Sequence, residues 1–100
     1  MARDRKSLDQ ILRSITPNVY YQSPASVQMK YPAIRYRRND IDIRYADNTS
    51  YSQEVGYEII AIDQNPDSPM VVALSKLPQI RFVRNYQADG LNHDVFAIYW

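Results

Sequence analysis

The spacing of apolar positions changes several times along the chain, and each change marks an element. Leu8, Ile11, Leu12 and Ile15 recur three and four residues apart, the spacing of one helix face. Ser7 followed by Gln10 can form a capping box, or the helix begins earlier, near Ala2; Pro17 ends it because the residue before a proline avoids helical geometry. The prediction is a helix over about 5–15. "NVYYQ" (18–22) is a short strand candidate that "SPAS" interrupts. From Pro32 the period becomes two. In "YPAIRYRR" (31–38), Ile34 and Tyr36 face a core while Arg35 and Arg37 face out. "YSQEVGYEIIAIDQ" (51–64) is the longest strand candidate. Val55, Tyr57, Ile59 and Ala61 share one face, and Ile60 and Ile62 make the other apolar as well, which predicts a central strand. "NPDSP" leads into a short helix, with Asp67 or Ser68 as cap and Pro69 at the first helical position. "MVVALSKL" (70–77) is that helix, stopped by Pro78. "QIRFVRNY" (79–86) is a strand with Ile80 and Phe82 on one face. "QADGLN" is a turn with Gly90 free to take positive φ, and "HDVFAIYW" (93–100) is a final strand. The order αβββαββ predicts a single α+β domain over 1–100, a mostly antiparallel sheet with two short helices packed on one face.

One segment breaks this rhythm. "NDIDIRYADNTS" (39–50) is polar, with turn residues at Asn48 and Ser50, yet Ile41 and Ile43 alternate with Asp40, Asp42 and Arg44. It reads as an extended arm or a long hairpin loop, and loops of that length are usually functional.

Charge sharpens the contrast. Residues 1–38 carry eight basic and two acidic side chains, 39–70 carry one and seven, and 71–100 carry three and two, for a net charge of +1. Opposite signs in neighbouring segments can pair within one chain or join two faces head to tail, as a ring requires. The nine tyrosines suit strands and interfaces alike.

Catalytic chemistry finds little support. The chain has no cysteine, so thiol nucleophiles, disulfides and thiolate zinc sites are excluded. With Gly56 and Gly90 as the two glycines, no glycine-rich phosphate loop can form. His93 beside Asp94 could be a base oriented by a carboxylate, but a lone histidine is more often structural. Asp40, Asp42, Glu54 and Glu58 could hold a magnesium ion, though a solvated or ion-paired acidic patch explains them better. The expectation is a protein that is no enzyme and uses no cofactor or metal. No apolar run approaches the roughly 18 residues that span a bilayer. The charged start "MARDRKSLDQ" has no signal-peptide core after it, so cytoplasmic synthesis and no membrane partner are expected.

"MKYPAIRYRRNDIDIRYADN" (29–48) interleaves arginine with tyrosine, as single-stranded nucleic acid prefers. The aspartates in the same stretch cancel much of the field that a phosphate backbone needs, so gripping another protein is the stronger reading. The sign reversal makes Arg35, Arg37, Arg38, Asp40, Asp42, Arg44 and Tyr45 the candidate subunit interface.

"YPAIRYRRNDIDIRYADNTSY", "YEIIAIDQNPDSP", "LPQIRFVRNY" and "YQADGLNHDVFAIYW" together resemble the small tail-terminator, or tail-completion, proteins of long-tailed bacteriophages. These are also known as minor capsid or head–tail joining proteins. The resemblance covers about residues 18–100; residues 1–17 share only a short amphipathic helix. It implies a virion structural protein of the head–tail neck, made in the bacterial host cytoplasm. Such a protein forms a ring, normally a hexamer, on the tail tube, and offers a docking surface to the head-completion, or stopper, protein. Genomic DNA would pass through the lumen, where Arg35 and Arg37 could make contact without sequence specificity. A head-side stopper and a small nucleic-acid-binding module are the alternatives.

Overall fold

A computed structural model describes residues 4–23, 28–46 and 49–100, apart from the side chains of 40–46 and 49–54. Helix α1 (Arg5–Ile15) opens at Asp4, whose carboxylate accepts the Lys6 N–H at 3.0 Å. The cap is therefore Asp4 and not Ser7. The Ser7 hydroxyl donates to the Asp4 carbonyl and accepts the Trp100 indole N–H at 2.9 Å. Leu8 and Leu12 are fully buried, with Ile11 and Ile15 against the same core, so the helical period marked the buried face.

The strands are β1 (Val19–Tyr21), β2 (Ala33–Ala46), β3 (Thr49–Asp63), β4 (Ile80–Ala88) and β5 (Leu91–Tyr99), with helix α2 (Pro69–Ser75) between β3 and β4. They form a five-stranded sheet in the order β1-β2-β3-β5-β4. Strand β1 runs parallel to β2, and every other neighbour pair is antiparallel. The fold is α+β with the element order αβββαββ. Strand β3 is central, as its two apolar faces require.

Register aligns the core face. Ile34 and Tyr36 lie opposite Ala61 and Ile59, and Ile59 and Tyr57 lie opposite Phe96 and Ile98. These side chains pack with Leu8 and Leu12 of α1 and Met70 and Leu74 of α2, which puts both helices on one face. Ser68 caps α2, accepting the Met70 N–H at 3.3 Å, and Pro69 takes the first position, where its missing N–H costs nothing. Among the described residues the opposite face carries no helix.

The turn between β4 and β5 is tighter than expected. Asp89 and Gly90 both take positive φ, 54° and 73°, as the centre of a two-residue hairpin turn. That geometry matches the twist of the flanking strands, so pairing continues to Ala88↔Leu91 and the strands run past 86 and start before 93.

Within segment 39–50, the described residues 39–46 and 49–50 are strand. Strands β2 and β3 pair from Ala33↔Ile62 to Ala46↔Thr49, with irregularities between Arg38 and Asp40 and between Arg44 and Tyr45. Among the described residues, strand β5 flanks β3 along 56–63 and β1 flanks β2 along 34–36. Beyond those positions the hairpin is a two-stranded ribbon. The radius of gyration is 14.7 Å and the longest extent 51 Å, against about 13 Å for a compact domain of this size.

Candidate subunit interface

The root of the ribbon is fastened from inside. Tyr36, near the start of β2, is buried, and its hydroxyl donates to the Asp9 carboxylate while accepting the Arg5 guanidinium at 2.9 Å. Arg13 also donates to Asp9. Burial pushes the Asp9 carboxyl up, but the bonds from Tyr36 and Arg13 outweigh it and hold the group below its usual range. Burial pushes the Tyr36 hydroxyl up, and the Asp9 charge adds to this. The network ties α1 to β2 beside the point where the sheet narrows.

Above that root, Arg35 and Arg37 emerge on the helix-free face and Arg38 on the other, all three exposed. Arg37 bonds Glu58 across the β2–β3 pair at 3.0 Å. Both partners meet water, so the pair contributes at most about 1 kcal/mol. Among the described residues, Arg35 and Arg38 have no ion-pair partner. With Gln22 and Ser23, the three arginines line a shallow concavity of about 380 Å³ where β1 ends.

Asp40, Asp42, Arg44 and Tyr45 continue β2 into the ribbon; their side chains lie outside the described residues. Their register is defined. Asp40 lies opposite Gly56, Asp42 opposite Glu54, Arg44 opposite Ser52 and Tyr45 opposite Ser50. Of the seven candidates, Arg35, Arg37 and Arg38 cluster at the base, and the other four follow along one strand.

The pairing of His93 with Asp94 comes apart in the geometry. His93 and Asp94 point to opposite faces of β5. The His93 ring stacks on Tyr86 with centroids 4.6 Å apart, while Asp94 is nearly buried and accepts the Asn85 side-chain amide at 2.8 Å. Of the four carboxylates considered for magnesium, Glu58 is engaged by Arg37, and the side chains of Asp40, Asp42 and Glu54 lie outside the described residues. Among the described residues no helix is long and apolar enough to cross a membrane.

Strand β4 is the surface that sequence reasoning missed. It forms one edge of the sheet, and most of its side chains are exposed, including Phe82 at 53% and Val83 at 43%. Its sequence signal was Phe82 and Val83 in a row, which breaks the alternation. The tyrosines divide between roles. Tyr36 and Tyr57 belong to the core, while Tyr31, Tyr86 and Tyr99 are exposed.

No protein-family model matches the chain, and no curated protein matches it.

Proposed function

We propose that this protein is a structural, non-enzymatic component of the neck of a long-tailed bacteriophage. Its role there is that of a tail terminator. Copies form a ring, hexameric as in the family it resembles, that caps the tail tube and receives the head-completion protein. DNA crosses the lumen during ejection. Arg35 and Arg37, exposed on the helix-free face, are suited to weak contact with passing phosphates.

The observation that carries this reading is the β2–β3 ribbon. An isolated two-stranded hairpin is marginally stable in water. This one extends beyond both flanking strands and sets Asp42 opposite Glu54. Like charges directly opposite each other are destabilising. Such a ribbon gains stability when a neighbouring subunit supplies positive charge and a strand edge. The virion sequence resemblance gives that neighbour an identity, another copy in a ring.

Electron microscopy of lysates from a phage lacking the gene tests the role. Overlong or unattached tails beside DNA-filled, tailless heads are expected. Normal-length free tails beside leaking heads would move the protein to the head side of the joint, as a stopper. Intact infectious particles would end the neck reading. Arg35 and Arg38, which have no ion-pair partner among the described residues, favour nucleic-acid binding as the second reading. It requires a salt-sensitive gel shift by the isolated protein, compared at two salt concentrations.

A further inference from the structure

Strand β4 and the ribbon are both open edges, and their sequences are of opposite sign. β4 (Ile80–Ala88) holds Arg81 and Arg84 and no acid, whereas 40–54 holds Asp40, Asp42, Asp47 and Glu54 against Arg44. The register shift in β4 falls between Phe82 and Arg84. Arg81 lies opposite Ala97 and Arg84 opposite Val95, and those two β5 residues share one face. The bulge therefore brings two arginines that are three apart in sequence onto the same face, at the spacing of alternate residues on a regular strand, about 7 Å. Asp40 and Asp42 are alternate residues in a stretch of β2 whose register with β3 is regular from Asp40 to Arg44. The spacing of the two acids matches the spacing of the two bases.

We infer that the β4 edge of one copy takes the β2 edge of another copy's ribbon, residues 40–44, as an added strand. Arg81 and Arg84 then meet Asp40 and Asp42, and Ile41 meets the exposed Phe82–Val83 step. Backbone pairing supplies the attraction, and the charges choose the partner. Joining two β4 edges instead brings Arg81 and Arg84 of both copies into one short ladder, where like charges repel. The contact is head to tail, because the donor and receiver surfaces differ, so copies can continue around a ring. This inference rests on the proposed ring only for the presence of a second copy, and it assigns that ring its receiving surface.

The chain has no cysteine, so single cysteines report the contact. Ile41 lies between the two aspartates and Val83 between the two arginines, whichever way the strands run. Full-length chains carrying Val83→Cys and Ile41→Cys are mixed under mild oxidation. The control replaces Val83→Cys by Val72→Cys, an exposed position on α2. The Val83 pair should yield disulfide-linked heterodimer in excess over the control on the order of tenfold, from two cross-strand charge pairs. Adding Arg81→Glu and Arg84→Glu to the Val83→Cys chain should abolish the excess. Adding Asp40→Arg and Asp42→Arg to the other chain should restore it, which a merely misfolded variant could not do. Equal yields for the two pairs would overturn the inference. Rings of the unmodified chain seen by microscopy without that excess would overturn the docking and leave the ring standing. The excess in a protein that tailed particles do not incorporate would uphold the docking and end the neck reading.

Discussion

Residues 33–38 and 56–63 of the β2–β3 hairpin lie within the sheet, and their core-facing side chains sit beneath α1 and α2. Among the described residues, 40–46 and 49–54 of the same hairpin have each other as their strand neighbours. Near Arg38 the chain changes from alternating apolar and basic residues to alternating isoleucine and charge. The sheet loses its outer strands at about the same place, and a register irregularity marks the change. One continuous ladder thus serves two ends. The inner half holds the fold, and the outer half is the part that, in the proposed ring, a neighbouring copy completes.

The widest separation should come from core truncation. Ile59→Ala, at a fully buried β3 position, should cost about 2–5 kcal/mol. Ile41→Ala in the ribbon should cost the isolated chain no more than about 0.5 kcal/mol. Chemical denaturation of both variants measures the difference. Equal losses would mean that the ribbon is part of the folding core.

Tyr36→Phe keeps the ring in the core and removes the hydroxyl that joins Arg5 and Asp9. Leaving those groups with one partner fewer should cost about 1–3 kcal/mol. The same network sets an acid limit. The Asp9 carboxyl is held below its ordinary range in the folded chain. Its contribution to stability is therefore complete above the unfolded value of about 3.9 and fades as pH falls through the lower folded value. Unfolding midpoints of the parent should drop over that acid window, and those of Tyr36→Phe should drop less.

At the β4–β5 turn, Gly90→Ala should cost about 1–2 kcal/mol. A methyl group there meets nothing within 4 Å, so the cost comes from holding φ at +73°. The smallest effect belongs to the ribbon. Asp42→Arg removes the like charge opposite Glu54, so the monomer should be unchanged or more stable by a few tenths of a kcal/mol.

Much of the inner half was legible from the residues. The α1 period named Leu8 and Leu12, the alternation at 33–37 gave the correct faces, and the doubly apolar 59–62 stretch marked the central strand. These are local patterns that one buried surface imposes directly. The parallel pairing of β1 with β2 was not legible, nor was the insertion of β5 between β3 and β4. Both depend on contacts far apart in sequence that no local period encodes. Ser7 looked like a cap because of Gln10, but Asp4 reached the helix N-terminus first. The 39–50 segment read as an arm or loop because its polarity hides the pairing. The alternation of Ile41 and Ile43 with charge was a strand signal, but the turn residues Asn48 and Ser50 pulled the reading toward a loop. In the candidate interface, the basic cluster at 35–38 could be seen in the sequence. The Arg81–Arg84 edge could not, because a bulge, and not a repeat, sets those arginines on one face.

The most direct test of the ribbon as the assembling end is a double charge reversal, Asp40→Arg with Asp42→Arg. Two quantities are followed on the same variant, its unfolding midpoint and its incorporation into tailed particles. The account predicts an unfolding midpoint at or slightly above that of the parent, together with loss of incorporation. Normal incorporation by a normally folded variant would contradict it.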